Sequence, residues 1–176
     1  MNELPGTLYL GVVDTVKLDA NGCLDVYLPA LKSILQCRVA TAMAGAGRGV
    51  LFLPEKGDQV LVVPVLGSDI GFALLSSVWH LNAKPPGGDG TITNDVKLIQ
   101  TRGGNKISLI DTEGKESIEI STKDKQQCIR FSIEEGHIEI TAGAIKMKGN
   151  VEIDGTLTVN TGGHSTAISG NEITGK

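Results

Sequence analysis

The side chains able to carry chemistry are few, and their spacing does not suit it. Glu134 and Glu135 are neighbours, and Glu113 lies three residues before Glu116. Paired carboxylates cleave glycosidic bonds only when they face each other across a substrate cleft. Both pairs sit beside turn glycines, Gly136 and Gly114, and read as solvated corner charges. Gly45-x-Gly47-x-Gly49 has the glycine density of a phosphate loop, but Val50-Leu51-Phe52-Leu53-Pro54 follows where a helix start with Lys and Ser or Thr is needed. It reads instead as a loop of a β domain. His80 and His137 stand alone and read as structural or exposed. His164, in Gly162-Gly163-His164-Ser165, is the one metal-ligand candidate: three symmetry copies would offer three imidazole nitrogens to zinc, nickel or iron. One His per chain is a sparse donor set. With no Ser-His-Asp, Cys-His or nucleotide arrangement, the expectation is a chain that is not an enzyme, with no catalytic residue, no cofactor and no resident metal.

Cys23, Cys37 and Cys128 are odd in number and fit no Cys-x-x-Cys spacing, so neither a disulfide framework nor a zinc site is expected. They read as three buried, reduced thiols. The 176 residues carry 16 Lys and Arg against 20 Asp and Glu, with no cluster of bases in either half. A nucleic-acid binder gathers cations to neutralise phosphates, and that class is disfavoured. The start, Met-Asn-Glu-Leu-Pro-Gly, is no charged and apolar leader, and no apolar run reaches membrane-spanning length. Synthesis and folding in the cytoplasm are expected.

The elements that must position these residues are all strands. Five strand-like runs fill the first half: Thr7 to Val16, Cys23 to Leu28, Leu35 to Ala42, Gln59 to Val65 and Phe72 to Trp79. Asp19-Ala20-Asn21-Gly22 and Pro54-Glu55-Lys56-Gly57-Asp58 are turns. Five short strands in about eighty residues suit a small closed Greek-key barrel of the oligonucleotide/oligosaccharide-binding (OB) shape. Its aromatics, Tyr9, Tyr27, Phe52, Phe72 and Trp79, lie in runs apolar enough to serve as core. The barrel is expected over residues 1–83 and a Pro/Gly linker over 84–93.

Residues 94–176 follow a period of two, apolar against polar. From Ile107 the first apolar residues of successive runs are 11, 11, 9, 7, 6 and 6 positions apart, a narrowing object. Aromatics make up only 3% of the chain, and a strand with two inward residues cannot bury them alone. Three copies wound about one axis, each giving one strand per face in turn, would supply a core. The expected fold is therefore all-β: an N-terminal five-stranded OB barrel followed by an intertwined trimeric β-helix, a needle. The residues expected to face the axis are Ile107, Leu109, Ile118, Ile120, Ile138, Ile140, Ile145, Met147, Val151, Ile153, Leu157 and Val159, with Glu119, Glu139 and Glu152 facing water.

Gly45-Ala46-Gly47-Arg48-Gly49, Leu53-Pro54-Glu55-Lys56-Gly57-Asp58-Gln59-Val60-Leu61-Val62 and Ser76-Ser77-Val78-Trp79 with Asn82 and Pro85-Pro86 occur in one order. Asn21 to Pro29 precede them and Asn105 to Glu116 follow. Over most of residues 21 to 120 the chain resembles the phage baseplate assembly protein V family and the barrel-plus-needle part of VgrG proteins, the central spikes of contractile tails and type VI secretion systems. It lacks the large hub region of full-length VgrG, a lysozyme-like insertion, and the His-x-His pair that holds an axial iron in some spikes. The resemblance implies a homotrimeric puncturing spike in a phage tail or injection-particle baseplate. It also implies a separate hub or tube protein at the barrel, a target cell envelope, and a PAAR-like cap on a polar, blunt C-terminal tip. The rival reading is a trimeric barrel that binds glycan or nucleic acid on a β-helical stalk, which would need exposed aromatic platforms.

Overall fold

A computed structural model describes residues 7–15, 17–67, 71–87 and 92–156. Every regular element among them is a strand, and the chain divides into two compact units, Met1–Val96 and Lys97–Lys176.

In the first unit β1 (Tyr9–Val13), β2 (Cys23–Leu28), β3 (Ser33–Val39), β6 (Gln59–Val65) and β7 (Gly71–Val78) close into a barrel in the order β1-β2-β3-β7-β6. The neighbours are antiparallel except β3 and β7, whose parallel pairing sets Arg38 beside Ala73 and Val39 beside Leu74. This is the five-stranded Greek-key barrel expected from the sequence. Alternate residues point inward, so Val13, Leu24, Val26, Leu28, Cys37, Val60, Val62 and Leu74 are almost wholly buried. Gly11 leaves the space that Val26 and Leu28 fill, since a Cβ there would lie 2.5 Å from Val26 Cγ1. Opposite the Leu61–Val62 step β7 carries one extra residue, Leu75, a bulge that bends β7 and helps the sheet close. The β1–β2 turn is fixed by the Asp19 carboxylate, which accepts from the Asn21 and Cys23 amides at 2.8 and 2.7 Å. Only Gly22 there needs the left-handed region, at φ 77°. Between β3 and β6 runs a two-residue-stranded hairpin, β4 (Ala44–Gly45) and β5 (Arg48–Gly49).

The second unit is one antiparallel sheet of β8 (Val96–Gln100), β9 (Lys106–Ile110), β10 (Ser117–Ser121), β11 (Cys128–Ser132) and β12 (His137–Thr141), in the order β12-β11-β10-β9-β8. Consecutive strands are hydrogen-bonded neighbours here, so this part of the chain does not deal out one strand per face in turn. The reason is local: the short connections reverse direction on left-handed residues, Gly104, Gly114, Lys125 and Gly136, and return each strand beside the last. The runs at Ile145–Met147 and Val151–Ile153, read as strands from their alternation, carry no strand pairing among the described residues.

Candidate functional site

Cross-strand register gathers the apolar residues of the second unit into two unbroken rows. Ile107 faces Ile120, which faces Ile129, which faces Ile140; Leu109 faces Ile118, then Phe131, then Ile138. All eight point to one side, and they remain 39–60% accessible. The described residues thus build an apolar face and leave it open, a patch of the kind that marks an association surface. Ile145, Met147, Val151 and Ile153 are also exposed. Ile129 and Phe131 were absent from the expected axial set, although the period-two pattern of Ile129-Arg130-Phe131 gives them the parity of Ile118 and Ile120. Leu157, Val159, His164 and the tip lie outside the described residues.

The opposite side is polar. Ser108, Ser117, Ser121 and Ser132 are buried, and Glu119 stands between Ser108 and Arg130, with Glu139 beyond Arg130. Glu119 does not simply face water: its side chain is 12% accessible and pairs with Lys125 at 3.0 Å, while Ser121 Oγ donates to it at 2.9 Å. Glu139 and Glu152 are exposed. Burial raises the Glu119 pKa, but hydrogen bonds from Lys125 and Ser121 and the charges of Lys125 and Arg130 outweigh it, and the carboxyl lies below its ordinary value of 4.5. A carboxyl depressed in the folded state stabilises it above the unfolded pKa, and that contribution disappears as pH falls through the folded one. Glu119→Gln is therefore expected to cost about 1 kcal/mol at pH 7. The gap from the parent should close as the pH is taken below 4.5. Thermal midpoints at pH 7 and pH 2 check this, and an equal gap at both would show that the charge is not what matters.

On the barrel, the β4–β5 hairpin and the segment after it stand out from the wall. A groove of about 510 Å³ lies beneath them, lined by Leu18, Val39, Met43, Val50, Leu51 and Phe52, with Arg48 at its rim. The three glycines have separate reasons: a Cβ at Gly45 would meet the Arg48 side chain, one at Gly49 would stand 2.8 Å from the Met43 carbonyl, and Gly47 has φ 65°. These are the requirements of a tight arm and not of an anion cradle. Phe52 and Trp79 are 70% and 67% accessible and Tyr27 is exposed, so three of the five barrel aromatics are not core. Tyr9 is buried and meets Phe72 edge-on, with ring centroids 6.3 Å apart.

The other candidates separate. Glu113, Glu134 and Glu135 sit exposed in turns and Glu116 is half-buried beside one. Glu135 lies 3.5 Å from His137 Nε2. The Asn82 amide donates to His80 Nδ1 at 3.3 Å, in a tight turn. Cys37 is buried as expected, while Cys23 and Cys128 are only half-buried. Burial pushes the Cys37 thiol up to about 11, helped by Cys23 and Asp25. Among the described residues no three His, Cys, Asp or Glu converge as a metal set, and no helix is long and apolar enough to cross a membrane.

No curated protein matches the chain at a significant level. Residues 9–80 match the family model for the Type VI secretion system/phage-baseplate injector OB domain. The match runs from the first residue of β1 past the last of β7. Over the barrel the chain is therefore similar to that family, which supports the resemblance to the baseplate spike family.

Proposed function

We propose that the chain is the central spike of a contractile-tail or injection-system baseplate, a homotrimer that pierces the target envelope mechanically. The observation that carries this reading is the open apolar face of β8–β12 placed directly after a barrel similar to the injector OB domain. Two further copies of the same face, brought together about an axis, would cover Ile107, Ile118, Ile120, Ile138 and their neighbours. Fully burying such a side chain is worth about 1.5–3 kcal/mol, so the remaining half of each returns on the order of 1 kcal/mol per residue per chain. The unpaired runs at 145–153 would find strand partners on the other copies, which makes the lower part intertwined even though β8–β12 pair within one chain. Three interlocked chains separate slowly, and stiffness is the property a puncturing device needs. A separate hub or tube protein would hold the barrel, and a PAAR-like cap would dock at the C-terminal end. On this reading the chain is no enzyme, needs no cofactor, is made in the cytoplasm and works in the assembled particle.

The exposed Phe52 and Trp79 favour a second reading, a glycan- or nucleic-acid-binding barrel on a stalk, because stacking platforms must be accessible. Arg48 is the single base that lines the groove with Phe52. Light scattering of the pure protein at micromolar concentration is expected to give three times the chain mass, persisting on warming in mild detergent. A monomer would sink the spike. Retention on a DNA or polysaccharide column at physiological salt would instead favour the binding module.

A further inference from the structure

We propose that Asn21 is a site of spontaneous deamidation in the folded barrel, a covalent change of the β1–β2 turn that needs no other protein. The reaction is closure of a five-membered imide. The Gly22 backbone nitrogen gives up its proton and bonds to Asn21 Cγ, and the side-chain nitrogen leaves with that proton as ammonia. Solvent water then opens the ring. Addition at Cγ breaks its bond to the Gly22 nitrogen and leaves aspartate; addition at the main-chain carbonyl carbon of residue 21 breaks the original peptide bond and leaves isoaspartate, with the chain running through the former side chain. Either route consumes one water and releases one ammonia.

Sequence and geometry both favour this position. Asn21 is the one asparagine in the chain followed by glycine, which has no Cβ to crowd the attacking nitrogen. Even a Cβ built at Gly22 would meet nothing within 4 Å, so the Asn21 side chain has open space in which to swing over that nitrogen. Asn21 is exposed, and its carboxamide makes no hydrogen bond among the described residues that would hold it away. One restraint opposes closure. The Gly22 amide donates to the Asp19 carbonyl at 3.2 Å, the longest bond of a turn that also ties the Asn21 and Cys23 amides to the Asp19 carboxylate at 2.8 and 2.7 Å. Releasing it costs the net worth of one hydrogen bond, so folding slows the reaction about fivefold and does not stop it. The product disturbs the turn twice. A carboxylate at position 21 stands two residues from that of Asp19, and isoaspartate adds a methylene to the main chain just before Gly22, whose carbonyl accepts from the Val39 amide at 2.9 Å. Gly22 and Val39 both line the groove under the arm, so the change loosens the groove wall together with the end of the β2–β3 pairing.

The test incubates the full folded chain in mildly alkaline buffer beside the same chain unfolded in guanidinium, and maps the peptides of both by mass. The peptide holding Asn21 is expected to be the first to gain the deamidation mass, in aspartate and isoaspartate forms, about fivefold more slowly folded than unfolded. Asn21→Gln, which would have to close a six-membered ring, should leave that peptide unchanged over the same period. The isoaspartate fraction, separated by ion exchange, should show a barrel midpoint lowered by about 4–8 °C, the loss of one hydrogen bond in a domain of this size. Earlier conversion at any other asparagine of the folded chain overturns the proposal, as does an Asn21 that stays intact when the unfolded sample has fully converted. An isoaspartate fraction that melts like the parent overturns the link from the turn to the groove wall.

Discussion

Ile140→Asp should leave the chain monomeric. Ile140 ends the row that starts at Ile107, and it is accessible because no described residue lies over the row. In a trimer the substitution appears three times in the apolar core, and each buried, unpaired carboxylate costs several kcal/mol. No base lies in either apolar row to answer it: Arg130 belongs to the opposite side of the sheet. The barrel, with its separate core, should fold normally. Light scattering should fall to the mass of one chain while the barrel retains its near-ultraviolet signal. A variant that assembled with an unchanged thermal midpoint would show that this face is not the association surface.

Gly11→Val tests the other unit and should spare assembly. Gly11 lies in β1 facing the barrel interior, where even a Cβ would stand 2.5 Å from Val26 Cγ1 and 2.8 Å from Leu28 Cδ2. Both neighbours are wholly buried and have nowhere to move. Overpacking of this sort costs about 3 kcal/mol, which for a domain this small lowers the unfolding midpoint by roughly 12–24 °C. The light-scattering mass should stay that of the parent, since the apolar rows belong to the second unit. Calorimetry checks both points. An unchanged barrel transition would mean that the interior has slack at Gly11, and a lower mass than the parent's would mean that the proposed needle cannot assemble without the barrel.

Much of this architecture is legible before folding. Alternation marks Cys23–Leu28 and Gln59–Val65 to the residue, because side-chain parity in a strand is a local property of the backbone. The same parity puts Ile118 and Ile120 on one face and Glu119 on the other, and it would have added Ile129 and Phe131. The ordered motifs of the barrel were enough to point to the baseplate family. Parity cannot say what covers a face, however, and so Phe52 and Trp79, apolar in sequence, were read as core and stand in solvent. Nor does it distinguish a strand that pairs with its own chain from one that pairs with another, since both alternate alike. The geometry of the turns decides that: left-handed residues at 104, 114, 125 and 136 fold β8–β12 into a single sheet. The parallel β3–β7 seam and the space kept by Gly11 join residues far apart in the chain. Only the tertiary structure determines them, because they depend on which strands meet and not on the order in which residues occur.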